Sequence, residues 1–137
     1  MTGNTLRPEL GDYLIAQARN NHWSNNRLHS ACLHLPASEY YANRPSFFGS
    51  IHIHLDHIVF VDWLYLERLT GEQYLPGKVG NELHSELASI VEDQVTADRT
   101  LIEYCETVTP ETLSSTVSFK LLDGTQYTEA VWSVLAH

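Results

Sequence analysis

The run from Ser46 to Gly71 constrains the fold more than any other part of the chain, because it reads without interruption as one long amphipathic helix. Ser46 is the predicted N-cap of this helix, and Thr70-Gly71 supplies its stop. One stripe of the helix carries residues at helical spacing, namely Ile51, Leu55, Ile58, Asp62, Tyr65 and Leu69. A carboxylate in the middle of an apolar stripe is unusual, so Asp62 is a candidate functional residue.

Three histidines crowd the first half of the same predicted helix. His52, His54 and His57 fall within two turns, with Asp56 and Asp62 beside them. Imidazole is the commonest neutral metal ligand, and a nearby carboxylate can orient it or join it. A helix that only packs in a core has little use for three histidines so close together. The pattern therefore indicates a metal site, and helical spacing turns His52 away from it toward solvent.

Asp62 has two possible roles on this pattern. It can act as a pocket carboxylate or as an orienter of a ligand histidine. It can also form a hydrogen bond to the first helix near Trp23 or Asn26. The hydrogen bond is favoured, because Asp62 lies five residues beyond His57 and so turns away from that histidine.

The remaining pattern predicts three more helices and a hairpin. The first helix is expected from about Pro8 to Leu33, and the third from about Asn81 to Thr107. Strands are expected over Ser115–Leu122 and from Thr125, around an Asp123-Gly124 turn, and a short last helix begins near Thr128. Residues 1–137 are thus one all-α domain, an antiparallel four-helix bundle with a small β-hairpin before a shortened last helix.

The composition limits which partners and which location are expected. A net charge of −9 with only eight Lys and Arg argues against a protein that binds the phosphate backbone of nucleic acids. No apolar run reaches the ~18 residues of a membrane span, and the N-terminus lacks a signal peptide, so a cytoplasmic location is expected. Cys32 and Cys105 are predicted to be buried free thiols. A solvated acidic face is predicted on the third helix from Glu82, Glu86, Glu92, Asp93, Asp98 and Glu103.

Three segments carry a family resemblance. Asn20–Leu28 contains the pattern N-x-W-x-N-x-R-L, and Phe48–Leu64 contains S-I-x-x-x-L-x-H-I with Asp62 following. The hairpin turn at Asp123-Gly124 leads into V-W-S-V-L-A-H at the end of the chain. Together these segments resemble the DinB/YfiT-like superfamily of metal-dependent four-helix bundles, over essentially the whole length of the chain.

The resemblance implies a metal site that this chain does not complete. In that superfamily one ligand is the histidine that falls on His57, and the other two form a His-x-x-x-His pair on the last helix. This chain ends at His137, one turn before the first of that pair, and is interpreted as a truncated or naturally short form. The complete protein is expected to hold a divalent metal, Zn or Ni, and this chain little or none. His54 is expected to line the pocket, with a stand-in ligand or a residue that orients a ligand as its alternative roles. His137 either lines the same pocket or is frayed at the terminus, and the frayed end is favoured.

The function implied is a metal-dependent enzyme of a thiol-dependent transferase or hydrolase type, acting on a small-molecule thiol or another small substrate. The alternative is a non-catalytic, stress-associated bundle that binds a small molecule or a protein partner. The sequence leaves open whether the chain is an enzyme. A homodimer is expected, because apolar residues surround the second helix on more than one side, as at Trp63, Leu64 and Leu66.

Overall fold

Three long helices carry the fold: α1 (Leu10–Leu33), α3 (Ile51–Thr70) and α4 (Leu87–Thr107). The computed structural model describes residues 9–76, 82–121 and 123–137. Within them lie three short helices and one hairpin, namely α2 (Ala37–Tyr40), α5 (Pro110–Ser114), α6 (Val131–Ala136), and strands β1 (Thr116–Lys120) and β2 (Gln126–Ala130). The predicted mostly helical class and the antiparallel hairpin are confirmed. The described residues form six helices, where the sequence predicted four.

Local chemistry explains where the predicted helix boundaries were wrong. Ser50, not Ser46, caps α3: its Oγ accepts a hydrogen bond from the N–H of Ile53 at 3.2 Å. Gly49 precedes it with a φ of 90°, a left-handed conformation that ends any helix reaching it from Ser46. The last helix begins at Val131 rather than near Thr128, because residues up to Ala130 pair with β1.

The long helices do not all alternate in direction. α1 runs antiparallel to α4, because Arg19 meets Glu106 while Asn25, further along α1, meets Asp98. α3 runs parallel to α4, because the core groups Leu55 with Ile90 near the start of both helices and Leu69 with Cys105 near their ends. The predicted antiparallel order is therefore wrong for α3 and α4, and the chain between them must return along the bundle.

Carboxylates on α3 fasten that returning connection. Glu67 Oε1 accepts the backbone N–H groups of Tyr74 at 2.7 Å and Leu75 at 2.6 Å. Further back along α3, Asp56 accepts the N–H groups of Leu83 at 2.7 Å and His84 at 3.0 Å. These contacts keep the residues before Leu87 outside the helix, which is why α4 starts later than the predicted Asn81.

The apolar core forms three groups along the helices. Near the hairpin it contains Leu14, Ala18, Cys105, Leu113 and Val131; in the middle Val59, Trp63, Leu66, Leu75 and Ala97; and at the far end Cys32, Tyr40, Leu55 and Ile90. Both cysteines are buried and free, as predicted. No helix of the described chain is long and apolar enough to span a bilayer.

The stripe predicted for this helix differs from the buried face of α3: of its six residues only Leu55 is buried, Ile58 is exposed and the other four are half-buried. The buried face of α3 carries Leu55, Val59, Trp63 and Leu66, together with the polar residues His52 and Asp56. The sequence predicted that Trp63, Leu64 and Leu66 are available for a dimer contact. Trp63 and Leu66 are instead buried within the chain, and Leu64 is half-buried.

Candidate functional site

A cavity opens between α1, α3, α4 and α6. Its volume is about 410 Å³. Leucines form much of its wall, and Asp62 and Asp98 are the charged side chains that line it, with no Lys or Arg among the described lining residues. Tyr65 and His137 also line it, with their rings stacked at a centroid distance of 5.4 Å. The cavity therefore combines apolar side chains with negative charge and with uncharged polar side chains, namely Gln17, Asn20, Asn21 and Ser24.

Asp98 is the polar centre of this region. Only 1% of the residue is exposed, although the sequence placed it on a solvated acidic face. Asn25 Nδ2 donates to both of its carboxylate oxygens, at 3.0 and 3.2 Å, and Gln94 Nε2 donates at 2.9 Å. His22 Nδ1 lies 3.0 Å from Oδ2, and Asn21 Nδ2 lies 3.4 Å from Oδ1. Asp98 was misplaced because α4 turns this position toward α1, whose polar residues supply the partners.

Asp62 lies next to this network. Its Oδ2 accepts a hydrogen bond from Gln94 Nε2 at 2.7 Å. Burial raises the pKa of Asp62 to about 6; the charge of Asp98 adds to the rise, and the bond from Gln94 opposes it. Asp62 thus makes a hydrogen bond between helices, but its partner is on α4 and not near Trp23 or Asn26 as predicted.

His57 and His54 lie on the outer side of α3, away from the cavity. His57 is exposed, and its ring lies 4.3 Å from that of Phe48 between centroids. His54 is half-buried, packs on Phe48 at 5.1 Å, and its Nδ1 lies 2.7 Å from the carbonyl oxygen of Ser50. Within residues 9–76, 82–121 and 123–137, no group of three or more His, Cys, Asp or Glu is arranged to hold a metal.

A transition-metal site usually needs three protein ligands or more. Among the described residues, His54 and His57 on α3 supply two imidazoles that both pack on Phe48, and two ligands do not complete such a site.

His52 is buried, contrary to the prediction that it faces solvent. It is 2% exposed and lies between Tyr40 and the returning connection. The hydroxyl of Tyr40 lies 2.8 Å from Nδ1, and burial raises the pKa of that phenol, which keeps it a donor. Nε2 donates to the carbonyl of His84 at 2.8 Å and to Glu82 Oε1 at 2.7 Å. A neutral His52 is fully satisfied here, so its role is structural.

His84 is held between two carboxylates. Its Nδ1 lies 2.8 Å from Asp56 Oδ1, and its Nε2 lies 2.9 Å from Asp93 Oδ2. Asp93 also accepts the indole N–H of Trp63 at 2.8 Å. Both carboxylates are acceptors, so only the protonated ring donates to the two at once. A signal for this cluster was present in the sequence: His52 and Asp56 are four residues apart and so share a helix face.

A known protein family matches most of the chain that forms this site, although not α6. The sequence profile of the DinB family matches residues 10–130, from the start of α1 to the end of β2. The chain belongs to the DinB family. No curated protein matches it.

The DinB-family signature on the first helix now has a structural position. Asn25 is buried and bonds Asp98, while Trp23 is exposed with the guanidinium of Arg27 5.0 Å from its ring centre. One signature residue therefore ties α1 to α4 beside the cavity, and the other two form a surface pair.

Proposed function

We propose that this DinB-family protein acts as a metal-dependent enzyme of a thiol-dependent transferase or hydrolase type, with His57 as one metal ligand. The observation that carries the proposal is the free imidazole of His57. It is exposed, and neither ring nitrogen has a hydrogen-bond partner among the described residues. Zn and Ni suit such nitrogen ligands.

His54 is the second ligand in this proposal. Its Nδ1 faces the carbonyl of Ser50, an acceptor, so Nδ1 carries the proton and Nε2 keeps its lone pair. Metal-binding histidines usually have this arrangement, in which the other nitrogen donates to a carbonyl or carboxylate. The remaining ligands come from outside the described residues, as the incomplete site requires.

Metal content tests the proposal directly. After the full-length protein, with the complete site, is equilibrated with Zn or Ni and dialysed, elemental analysis should find about one ion per chain, and His57→Ala should remove it. His34→Ala is the control, because His34 is exposed like His57 and, like His54, has its Nδ1 near a backbone carbonyl, that of Ser30. Equal metal in all three proteins, or none in any, contradicts the role of His57.

A non-catalytic binding role is the second candidate, and the cavity favours it. Here α1, α3, α4 and α6 act as the four helices of a bundle, and a small molecule occupies the space between them. The stress association comes from the family resemblance alone. Absence of metal together with retained ligand binding would favour this role over the enzyme.

We also propose a homodimer, now on different residues. Phe47 is 91% exposed and packs on Phe48 at 4.7 Å between ring centroids. Exposed aromatic side chains of this kind are enriched at protein interfaces. A second copy of the chain is the proposed partner.

A further inference from the structure

We propose that the cavity between α1, α3, α4 and α6 binds a small organic ammonium ion, with the ammonium at Asp62 and an apolar body against the leucine wall. The proposal goes beyond the metal-dependent activity and does not rest on it, since His54 and His57 lie on the outer side of α3. It names the class of ligand from the charge, the free acceptor and the shape of the cavity.

The charge of the cavity lining determines whether the ligand is a cation or an anion. Asp62 and Asp98 line the cavity, and the described lining contains no Lys or Arg. The chain as a whole carries −9. An anion would meet uncompensated negative charge at low dielectric, whereas a cation is attracted there.

The carboxylate oxygen that lacks a hydrogen-bond donor determines where the cationic group of the ligand binds. Asp98 already receives hydrogen bonds from α1 and α4, so it offers little to a ligand. Asp62 receives one, from Gln94 to Oδ2, and its Oδ1 has no donor within the described residues. An ammonium group at Asp62 supplies N–H donors to this acceptor.

The wall selects the rest of the ligand. Leu14, Leu66, Leu69 and Leu101 line the cavity, and its volume of about 410 Å³ exceeds that of a single water many times over. A bare metal cation or ammonium would leave this apolar surface uncovered. A hydrocarbon body of aromatic or cycloalkyl size covers it and adds burial energy.

Protonation of Asp62 gives the proposal a second signature. The pKa of Asp62 is raised to about 6. A cation prefers the ionised carboxylate, so affinity is full above that pKa and falls as the pH drops through it. The other titratable groups that line the cavity or touch its carboxylates are Asp98 on α4, Tyr65 on α3, His22 on α1 and His137 on α6. Protonation of either histidine also repels a cation, so it acts in the same direction.

Benzylammonium and benzyl alcohol form the test pair, since they share a shape and differ in charge. Calorimetric titration of the full chain at about pH 7.5, with a chelator present, should show benzylammonium binding about ten-fold tighter than the alcohol, as a charged hydrogen bond predicts. Asp62→Asn should abolish that preference. Glu92→Gln removes an exposed carboxylate from α4 and should leave it unchanged.

The pH series on the unaltered chain keeps the test decisive if Asp62→Asn folds poorly. Affinity for benzylammonium should fall about ten-fold between about pH 7.5 and pH 5, and affinity for benzyl alcohol should stay level. Equal binding of the two probes, no binding of either, or a preference that survives Asp62→Asn overturns the proposal. The chelator removes metal from every sample, so these outcomes are independent of the fate of the metal site.

Discussion

At the scale of single residues, Asp98 joins α1 and α4, two of the helices that flank the cavity. Asn25 and His22 of α1 and Gln94 of α4 all direct nitrogen atoms to its carboxylate. Removing a carboxylate from water is costly, and charge-assisted hydrogen bonds offset that cost only when enough of them form. Because two of the donor residues lie at defined positions of α1, these hydrogen bonds fix the position of α1 along the axis of α4.

Replacing Asp98 should therefore be far more damaging than its place in an acidic sequence suggests. Asp98→Ala leaves the buried amide of Asn25 without its acceptor and removes one of the two acceptors of Gln94. We expect a loss of about 3–5 kcal/mol in the free energy of unfolding. Urea denaturation measures it. Glu103→Ala, an exposed carboxylate of the same helix, should change the value by about 0.5 kcal/mol or less. Similar urea midpoints for the two variants would show that the buried network contributes little.

The candidate site was predictable where residue type alone decides the matter. The pattern singled out Asp62 as an odd carboxylate on an apolar stripe, and it lines the cavity. It missed Asp98 and misjudged His52, because one helix pattern does not reveal which polar side chains find partners on another helix. Asp98 depends on Asn25 and His52 on Tyr40, and both pairings arise only when the chain folds.

At the scale of elements, the connection between α3 and α4 is the part most dependent on side-chain contacts. Parallel neighbouring helices require the chain to travel back along their length, and that segment has no described helix or strand of its own. Asp56 and Glu67 of α3 take over the role of hydrogen-bond partner for its backbone. His84 adds a clamp between Asp56 and Asp93.

Loss of Asp56 should free this connection locally. Asp56→Ala removes the acceptor for two backbone N–H groups and for the ring of His84, and buried charge clusters lose several kcal/mol when one partner is deleted. We expect trypsin under native conditions to cut after Lys78, within the connection, about ten-fold faster than in the unaltered chain.

Mass spectrometry of the early fragments identifies the cut. Glu92→Ala, on the exposed side of α4, should leave the rate unchanged. Cleavage spread evenly over all basic sites would instead indicate global unfolding, and an unchanged rate at Lys78 would show that Asp56 does not hold the connection.

Element prediction succeeded where a local signal was unambiguous. The ends of α1 at Leu33 and of α4 at Thr107 and the Asp123-Gly124 turn match the structure. The short helix α5 was missed although Thr109 caps it and Pro110 occupies its first turn, so that signal was present. The parallel course of α3 and α4 had no local signal, because helix direction depends on how the connection packs.

At the scale of the whole molecule, the exposed apolar residues are the feature that the internal packing leaves unexplained. Phe47 stands out at 91% exposure and packs on Phe48, whose ring in turn packs on those of His54 and His57. The net charge of −9 acts against self-association, since two copies repel each other. A dimer therefore depends on enough apolar contact to outweigh that repulsion.

Phe47→Ser tests whether this contact is the one that pairs two copies. Burying a phenylalanine side chain is worth about 2–3 kcal/mol, so the substitution, made in both copies, should weaken the dimer by a factor of about 100 or more and yield a monomer at micromolar concentration. Light scattering measures the mass. Leu33→Ser, at 59% exposure on α1, is the control and should leave the dimer intact. Added salt should tighten pairing by screening the like charges of the two copies. A monomeric unaltered chain, or equal weakening by both variants, would contradict a dimer built on Phe47.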